Sequence, residues 1–284
     1  MPEKKRVTPL EIGGLADMHC HCDYSIDAVG TIDEYCNAAL ERGLAEICFT
    51  THYDSNPNAE GDANHILIGG KRKPATIDNL APYVENVQRA REEYYPLGLA
   101  VKLGLEFGWY PNCEKEVEKL KNCYPFEYVL CGVHEIDNVC FCCVKEYERC
   151  FARFSVEQMA ERYFGDVITA ARSGLFDTIA HLEYYRKYGV QYYGQQEIAN
   201  AWRPHAAELA QALQESGTGL EVNTAALRKG LNGYYPQVNL VNALRRIGVE
   251  VQHLGSDAHT PEDVGYDFDA AASLIPHAIG GCDD

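Results

Sequence analysis

The chain has 284 residues, a hydrophobic content of 46% and a formal net charge of −17. This length suits one α/β barrel better than two domains, so we expect a single domain over residues 1–284 with its core at about 15–270. No apolar window approaches the length of a membrane span, and no apolar stretch follows the basic residues near Lys5, which predicts a cytoplasmic protein without membrane contacts. The acidic charge argues against nucleic acid as a partner but permits a small charged substrate.

Seven apolar runs of strand length, each bounded by turn residues, follow one another along the chain. They are Leu15–Met18, Ala45–Thr51, Leu99–Leu105, Tyr128–Val133, Phe176–Ala180, Gly219–Val222 and Glu250–Leu254. Helical patterns separate these runs. Alternating strands and helices favour a mainly parallel sheet, and seven units favour closure into an irregular, TIM-barrel-like (β/α)7 barrel.

Residues typical of helix ends mark the helices between the strands. Thr31 with Glu34, and Ser155 with Gln158, have the spacing of capping boxes. Thr260 followed by proline predicts a further helix start. The predicted C-terminal caps are glycines that shortly precede a strand: Gly43, Gly174, Gly217 and Gly248.

Nearly every predicted strand ends in a residue that can ligate a metal ion. Alternation along the first strand would point the imidazoles of His19 and His21 to the same side. The other strand-end candidates, with one residue in the loop after the first strand, are Asp27, His52, Glu106, His134, His181, Asp257 and His259. The carboxyl ends of parallel barrel strands share one rim, so these side chains are expected to meet at the C-terminal face of the barrel.

A single histidine at a strand end is more often a hydrogen-bonded or surface residue than a metal ligand, so only the joint pattern of strand-end residues indicates a metal site. The remaining histidines, His65, His205, His253 and His277, do not fit it and are expected to have ordinary roles. Mixed imidazole and carboxylate donors suit divalent zinc, manganese or iron. Nine donors exceed the need of one tetrahedral ion, so more than one ion is predicted.

The whole motif set is more specific than its parts, because amidohydrolases also open on H-x-H. The set comprises His19-x-His21 with Asp27, Thr51-His52, Gly104-Leu-Glu106, Gly132-Val-His134, Ala180-His181 and Gly255-Ser-Asp257-Ala-His259. It resembles the polymerase and histidinol phosphatase (PHP) family over residues 15 to 270. The segment from Glu221 to Arg228, followed by Tyr235-Pro236, is similar to the histidinol-phosphate phosphatase branch. Glu183 departs from the Asp expected there, and the Cys140–Cys150 region has no counterpart in the pattern.

The resemblance implies a metal-dependent phosphoesterase with three divalent ions. One ion would be held by His19, His21, Glu106 and Asp257, a second by Glu106, His134 and His181, and a third by Asp27, His52 and His259. Such cations would lower the pKa of a bridging water and neutralise phosphoryl oxygens, so that a metal-bridging hydroxide attacks the ester. The implied substrate is a small phosphomonoester, with L-histidinol phosphate favoured, and Asp257 is implied to be catalytic.

Four further residues are candidates for contact with the substrate. Arg228 lies beyond the sixth strand and is the preferred catalytic clamp for the phosphate, because a guanidinium fork matches phosphate oxygens. Arg186 and Lys187, beyond the fifth strand, are alternatives for this task. Asn223 ends the sixth strand and has either a ligand-binding or a turn role.

The twelve cysteines are expected to be reduced thiols, mostly small buried hydrophobes. Strand alternation predicts that Cys20 and Cys22 point away from the metal histidines. The cluster from Cys140 to Cys150 lacks the paired C-x-x-C spacing of a structural zinc site, and a zinc or redox role for it is the lesser alternative.

Three other functions remain open on sequence grounds. A PHP relative could act on a nucleotide or a sugar phosphate, and an amidohydrolase could cleave C–N bonds with one or two metals. The amidohydrolase reading leaves Glu106 and the Asp257-x-His259 pair without a task. A metal-binding scaffold without catalysis is the least favoured, because the ligand set is complete.

Overall fold

The computed structural model describes residues 14–60 and 64–274. The strands in these ranges are β1 (Ala16–Cys20), β2 (Glu46–Phe49), β3 (His52–Tyr53), β4 (His65–Ile68), β5 (Lys71–Pro74), β6 (Ala100–Gly108), β7 (Tyr128–Gly132), β8 (Glu135–Ile136), β9 (Val139–Cys140), β10 (Thr178–Ile179), β11 (Gly219–Asn223) and β12 (His253–Gly255). The α-helices are α1 (Ile32–Glu41), α2 (Ala81–Tyr94), α3 (Glu114–Cys123), α4 (Tyr147–Phe151), α5 (Val156–Arg172), α6 (Arg186–Tyr193), α7 (Gln195–Ile198), α8 (Ala206–Ser216), α9 (Ala225–Arg228), α10 (Val238–Arg246) and α11 (Phe268–Ala271).

Seven parallel strands form the barrel in the order β1-β2-β6-β7-β10-β11-β12. The ends of this path approach each other at a parallel bridge between Cys20 and Ala258, where the His21 amide donates to the Ala258 carbonyl at 2.8 Å. The barrel is therefore nearly closed. This confirms the predicted fold, and each predicted strand overlaps one of the seven observed strands.

The helices between consecutive barrel strands cover the outside of the barrel. In α5 the buried residues Met159, Tyr163, Val167 and Ala171 recur every four positions and so form one apolar stripe. Inside the barrel, a small cluster joins Met18, Cys48, Tyr128, Leu130 and Ala180. Since β1 and β10 are not neighbours in the sheet, these side chains meet across the barrel interior.

The predicted helix ends are largely confirmed. Both capping boxes form, with Thr31 accepting from the Glu34 amide and Ser155 from the Gln158 amide. The four predicted cap glycines have positive φ angles between 64° and 91°, which glycine adopts without the penalty of a Cβ. Thr260 precedes only a short 3-10 turn, Pro261–Asp263, and its side chain makes no cap hydrogen bond.

One expectation about the cysteines is wrong. Cys140 and Cys143 form a disulfide, so not all cysteines are reduced thiols. These two residues also have C-x-x-C spacing, although as a single unit and not as a pair. Both residues lie at the end of the β8–β9 hairpin, and this placement brings their sulfurs together. The expectation of reduced thiols was based on the predicted compartment and did not take this local geometry into account. Cys20 and Cys22 are buried in the main core, consistent with the predicted direction of their side chains.

In the described part of the chain, no helix combines the length and the apolar character needed to cross a membrane.

Candidate metal centre

All nine predicted ligands converge at the carboxyl end of the barrel. The first group is fully enclosed: Nε2 of His19 and of His21 are 3.0 Å apart, and each lies 3.3 Å from Oε2 of Glu106. Oδ1 of Asp257 is 3.3 Å from Nε2 of His21. Ligand atoms bound at about 2.0–2.1 Å to one tetrahedral ion lie roughly 3–3.5 Å from one another, so these spacings fit a shared cation.

A second group gathers around the other oxygen of Glu106. Oε1 lies 2.7 Å from Nε2 of His181 and 3.2 Å from Nε2 of His134, and the two imidazole nitrogens are 3.5 Å apart. Glu106 is completely buried and offers one oxygen to each group. Its two oxygens therefore face two separate sets of imidazole nitrogens.

The third group lies nearer to solvent. His52 Nε2 is 3.8 Å from Oδ1 of Asp27, and His259 Nε2 is 3.4 Å from Oδ2 of the same carboxylate. The side chains of Asp27, His52 and His259 are 57%, 15% and 22% exposed, whereas those of the first group are at most 4% exposed. His52 Nδ1 also lies 2.9 Å from Glu106 Oε2, which ties this group to the first.

One buried atom at the centre of the site lacks the partner that a cation would supply. Oε2 of Glu106 accepts no well-oriented hydrogen bond within the described ranges, although Nε2 of His19 and of His21 lie 3.3 Å away and Nδ1 of His52 lies 2.9 Å away. Such an orphaned oxygen is costly unless an ion satisfies it. The donor set and its geometry therefore fit a metal centre.

The charges of the site are strongly coupled. Although burial alone would raise the pKa of Glu106, the imidazoles of His19, His52 and His181 hold it well below its usual range. Burial would lower the pKa of His52, but the Glu106 and Asp27 carboxylates raise it to about 9. Without metal, protons on imidazoles thus supply the positive charge that the carboxylates require.

His21 behaves in the opposite way. Burial and the neighbouring imidazoles of His52 and His259 lower its pKa well below the usual range, so it is neutral and ready to ligate a cation. Its ring stacks on that of His52, with centroids 4.1 Å apart.

Two carboxylates that the sequence analysis did not assign orient the ligands from behind. Glu221 Oε1 lies 3.1 Å from Nδ1 of His19 and accepts the His181 amide at 2.6 Å. Asp54 Oδ1 lies 3.0 Å from Nδ1 of His134. A carboxylate behind a ligating imidazole sets its tautomer and increases its basicity. An acidic residue inside the otherwise apolar run Gly219–Val222 was the available signal for Glu221.

Backbone strain accompanies two of the predicted ligands. His181 and Asp257 have φ angles of 28° and 52°, in the left-handed region that side chains other than glycine rarely adopt. Strain of this kind persists where the surroundings enforce it, and here the Asp257 amide is held by the His19 carbonyl at 2.8 Å.

The predicted substrate residues are placed unequally. Arg186 is buried and donates to the carbonyls of Tyr234 and Asn232, and Asn223 bridges Glu221 and the Ala225 amide. These contacts give both residues structural tasks. The Lys187 side chain instead lines a cavity together with Asp27, His52 and His134.

The guanidinium of Arg228 makes most of its contacts within the protein. Its Nη2 donates to the carbonyls of Ser256 and Asp257 at 2.7 and 3.0 Å, and its Nε lies 3.1 Å from Oδ2 of Asp263. Its Nη1 is buried and has no hydrogen-bond partner in residues 14–60 and 64–274. One nitrogen of the guanidinium thus keeps unused donor capacity, next to the backbone of Asp257.

The histidines without a predicted metal role lie elsewhere. His205 stacks on Phe164, His253 packs edge-on against Tyr128, and His65 lies on β4. His277 lies outside the described residues.

Comparison with known proteins agrees with this geometry. The PHP domain matches residues 17–225. A Deinococcus radiodurans protein named "Probable histidinol-phosphatase" is 33% identical over 279 residues, covering 94% of this chain and 95% of its own, and the Lactococcus lactis histidinol-phosphatase is 24% identical over 92% of this chain and 90% of its own.

Two solved structures share the fold. The L. lactis histidinol phosphate phosphatase, complexed with zinc, L-histidinol and phosphate, has a TM-score of 0.71 at 22% identity, covering 93% of this chain and 94% of that one. A Listeria monocytogenes protein described as a "putative histidinol phosphatase" has a TM-score of 0.74 at 19% identity, covering 90% of this chain and 99% of that one. On the domain match, the relatedness to the Deinococcus protein and the nine converging ligands, this chain belongs to the PHP domain family.

Proposed function

We propose that this protein is a metal-dependent phosphatase that hydrolyses L-histidinol phosphate to L-histidinol and phosphate. The observation that carries the proposal is the bridging position of Glu106, whose two oxygens each face a separate group of imidazoles. The names of the relatives, which cover nearly the whole chain, support the choice of substrate.

The three groups would hold three divalent ions, with zinc the first choice and manganese or iron as alternatives. The first ion belongs to His19, His21, Glu106 and Asp257, the second to Glu106, His134 and His181, and the third to Asp27, His52 and His259. When bound, such ions make hydroxide available near neutral pH and neutralise the phosphoryl oxygens.

The chain itself positions the reactants. Although burial favours the neutral acid, the His19 and His21 imidazoles hold the pKa of Asp257 well below its usual range, so its carboxylate stays ionised. We assign Asp257 to holding a cation and orienting the attacking water. Because the third group is the most exposed, substrate would approach over Asp27, His52 and His259.

The phosphate would be met by Nη1 of Arg228 and by the Nζ of Lys187. Lys187 lines the cavity beside the ligands, and its Nζ lies 3.2 Å from the Tyr184 hydroxyl. Arg186 and Asn223 would act indirectly, by holding the loops that carry these groups.

The amidohydrolase alternative is less well supported by the structure. That interpretation gives no role to Glu106 or to the Asp257-x-His259 pair, yet Glu106 lies between the ligand groups and His259 Nδ1 is 3.4 Å from Asp257 Oδ1.

A substrate panel tests the proposal. Zinc-loaded protein is assayed with L-histidinol phosphate, a nucleoside monophosphate, a sugar phosphate and an amide. E106Q is compared with a matched control, E85Q, which changes an exposed glutamate on α2. We expect the highest kcat/KM for L-histidinol phosphate, severe loss in E106Q because an amide bridges cations poorly, and no loss in E85Q. A higher kcat/KM for another phosphate ester would show that L-histidinol phosphate is not the preferred substrate. Cleavage of the amide alone would show that the protein is not a phosphatase.

Replacement of Arg228 tests its contact with the phosphate. R228A should lower kcat/KM. The corresponding loss of transition-state stabilisation should be on the order of 2–4 kcal/mol, the scale for losing one member of a buried charged pair. R228K should recover only part of the loss, because an ammonium lacks the planar fork. R246A, which removes an exposed arginine at the end of α10, is the control for loss of a positive charge elsewhere. Equal phosphate inhibition of parent and R228A would remove Arg228 from the phosphate site.

A further inference from the structure

Three cysteines that the proposed reaction does not use stand in the wall of the metal cavity. Cys140, Cys142 and Cys143 line it together with His134 and Lys187. Cys140 and Cys143 are joined by a disulfide, and the sulfur of Cys142 lies 3.5 Å from that of Cys140. A third thiol thus lies beside an existing disulfide at the edge of the metal cavity.

The spacing of the bonded pair is informative. Cys140-Phe-Cys-Cys143 is a C-x-x-C unit, the arrangement found in thiol–disulfide redox motifs. Cys143 is only half-buried, so small thiols can reach it. If the chain works in the cytoplasm, as its sequence suggests, a disulfide there is typically transient or redox-sensing.

The segment that carries the disulfide is hydrogen-bonded to the backbone of one candidate metal ligand, His134. His134 leads directly into β8, whose Glu135 pairs with Cys140 of β9. The His134 carbonyl accepts the Phe141 amide at 3.1 Å and the Cys142 thiol at 3.7 Å. Residues 140–143 therefore hold the backbone of His134 while its ring contacts Asp54 and Glu106.

We propose that the Cys140–Cys143 pair is a thiol–disulfide modification site that tunes the metal centre through His134. Two thiols of a small-molecule reductant supply two electrons and two protons, the bond between the Cys140 and Cys143 sulfurs breaks, and two cysteine thiols and one reductant disulfide result. The closed ring around the turn is lost, and His134 is held less firmly. This inference rests on the proposed metal centre but not on the identity of the substrate.

Peptide mapping tests the modification site by itself. Full-length protein purified in air is denatured, alkylated and digested, and we expect a Cys140–Cys143 cross-link with Cys142 alkylated. Finding Cys140 and Cys143 both alkylated would overturn the proposal.

Zinc titration tests the coupling. Untreated and dithiothreitol-treated protein are freed of reagent by gel filtration without air and titrated with Zn²⁺, and we expect the reduced form to bind about tenfold more weakly, the lower end for loss of a ligand-orienting contact. C140S/C143S should match the reduced parent under both treatments, and C123S, at an exposed cysteine on α3, should match the parent. If the double variant misfolds, chemical reduction of the parent still decides. Equal binding by both forms would overturn this inference alone, whereas no binding by either would overturn the metal centre as well.

Discussion

Individual residues at the metal centre are constrained by very short distances. A Cβ at Gly132 would lie 2.6 Å from both Oε1 of Glu106 and Nε2 of His134, closer than real side chains approach. Glycine is thus required there because ligands occupy the space, not because of its backbone angles.

Replacing Gly132 tests this constraint. G132A should displace Glu106 or His134, lower the bound zinc by about one ion per chain and abolish most activity, since both residues belong to the second group. G165A is the matched control, because a Cβ at this helical glycine meets open space. It should keep its zinc and gain up to about 1 kcal/mol of stability. Full zinc content in G132A, by elemental analysis, would contradict this account.

Protonation of His52 predicts how zinc binding depends on pH. Its pKa in the metal-free protein is raised to about 9, so the imidazole is protonated at neutral pH, whereas zinc binds only the neutral ring. Zinc binding at pH 7 should therefore release protons, and zinc affinity should rise with pH up to about 9. Calorimetry in two buffers of different ionisation enthalpy measures the release. Identical apparent enthalpies in both buffers would show that His52 is already neutral.

Among the elements, α5 begins at a capping box formed by nearby residues but also contacts a loop that is distant in sequence. Its start is set by Ser155 and Gln158, which are only three positions apart. Its Tyr163 hydroxyl, in contrast, accepts a hydrogen bond at 3.0 Å from the Glu183 amide, two residues beyond the candidate ligand His181. The helix thus both shields the barrel and supports the loop after β10.

Removing the cap should weaken α5 without touching the metal centre. S155A should lower the free energy of unfolding by about 1 kcal/mol, and S155N, which retains a capping side chain, should lose much less. Zinc content should be unchanged in both variants. Chemical denaturation measures the difference, and equal stability of S155A and the parent would show that the capping box contributes nothing.

At the scale of the whole molecule, the nine candidate ligands come from strands and loops all around the barrel, from His19 to His259. Ions bound only by the folded state stabilise it, by about 2.7 kcal/mol at a concentration one hundred times Kd. Chelation should therefore lower Tm by roughly 5–10 °C, given the shift per kcal/mol in large domains. Scanning calorimetry with and without chelator checks this, and restored zinc should reverse it. An unchanged Tm would mean that the site adds no stability when filled.

Much of the architecture could be predicted because its signals are local. Apolar runs, capping boxes and cap glycines each depend on a few adjacent residues, and the strand-end rule then brought the nine candidate ligands to one face. Contacts between distant residues could not be read in this way. Glu221 and His19 are 202 positions apart and Asp54 and His134 are 80 apart, so only the closing of the barrel pairs them. The same holds for Arg228, whose fork is largely taken by the Ser256 and Asp257 carbonyls, and for the Cys140–Cys143 bond, which depends on how the hairpin turns after His134.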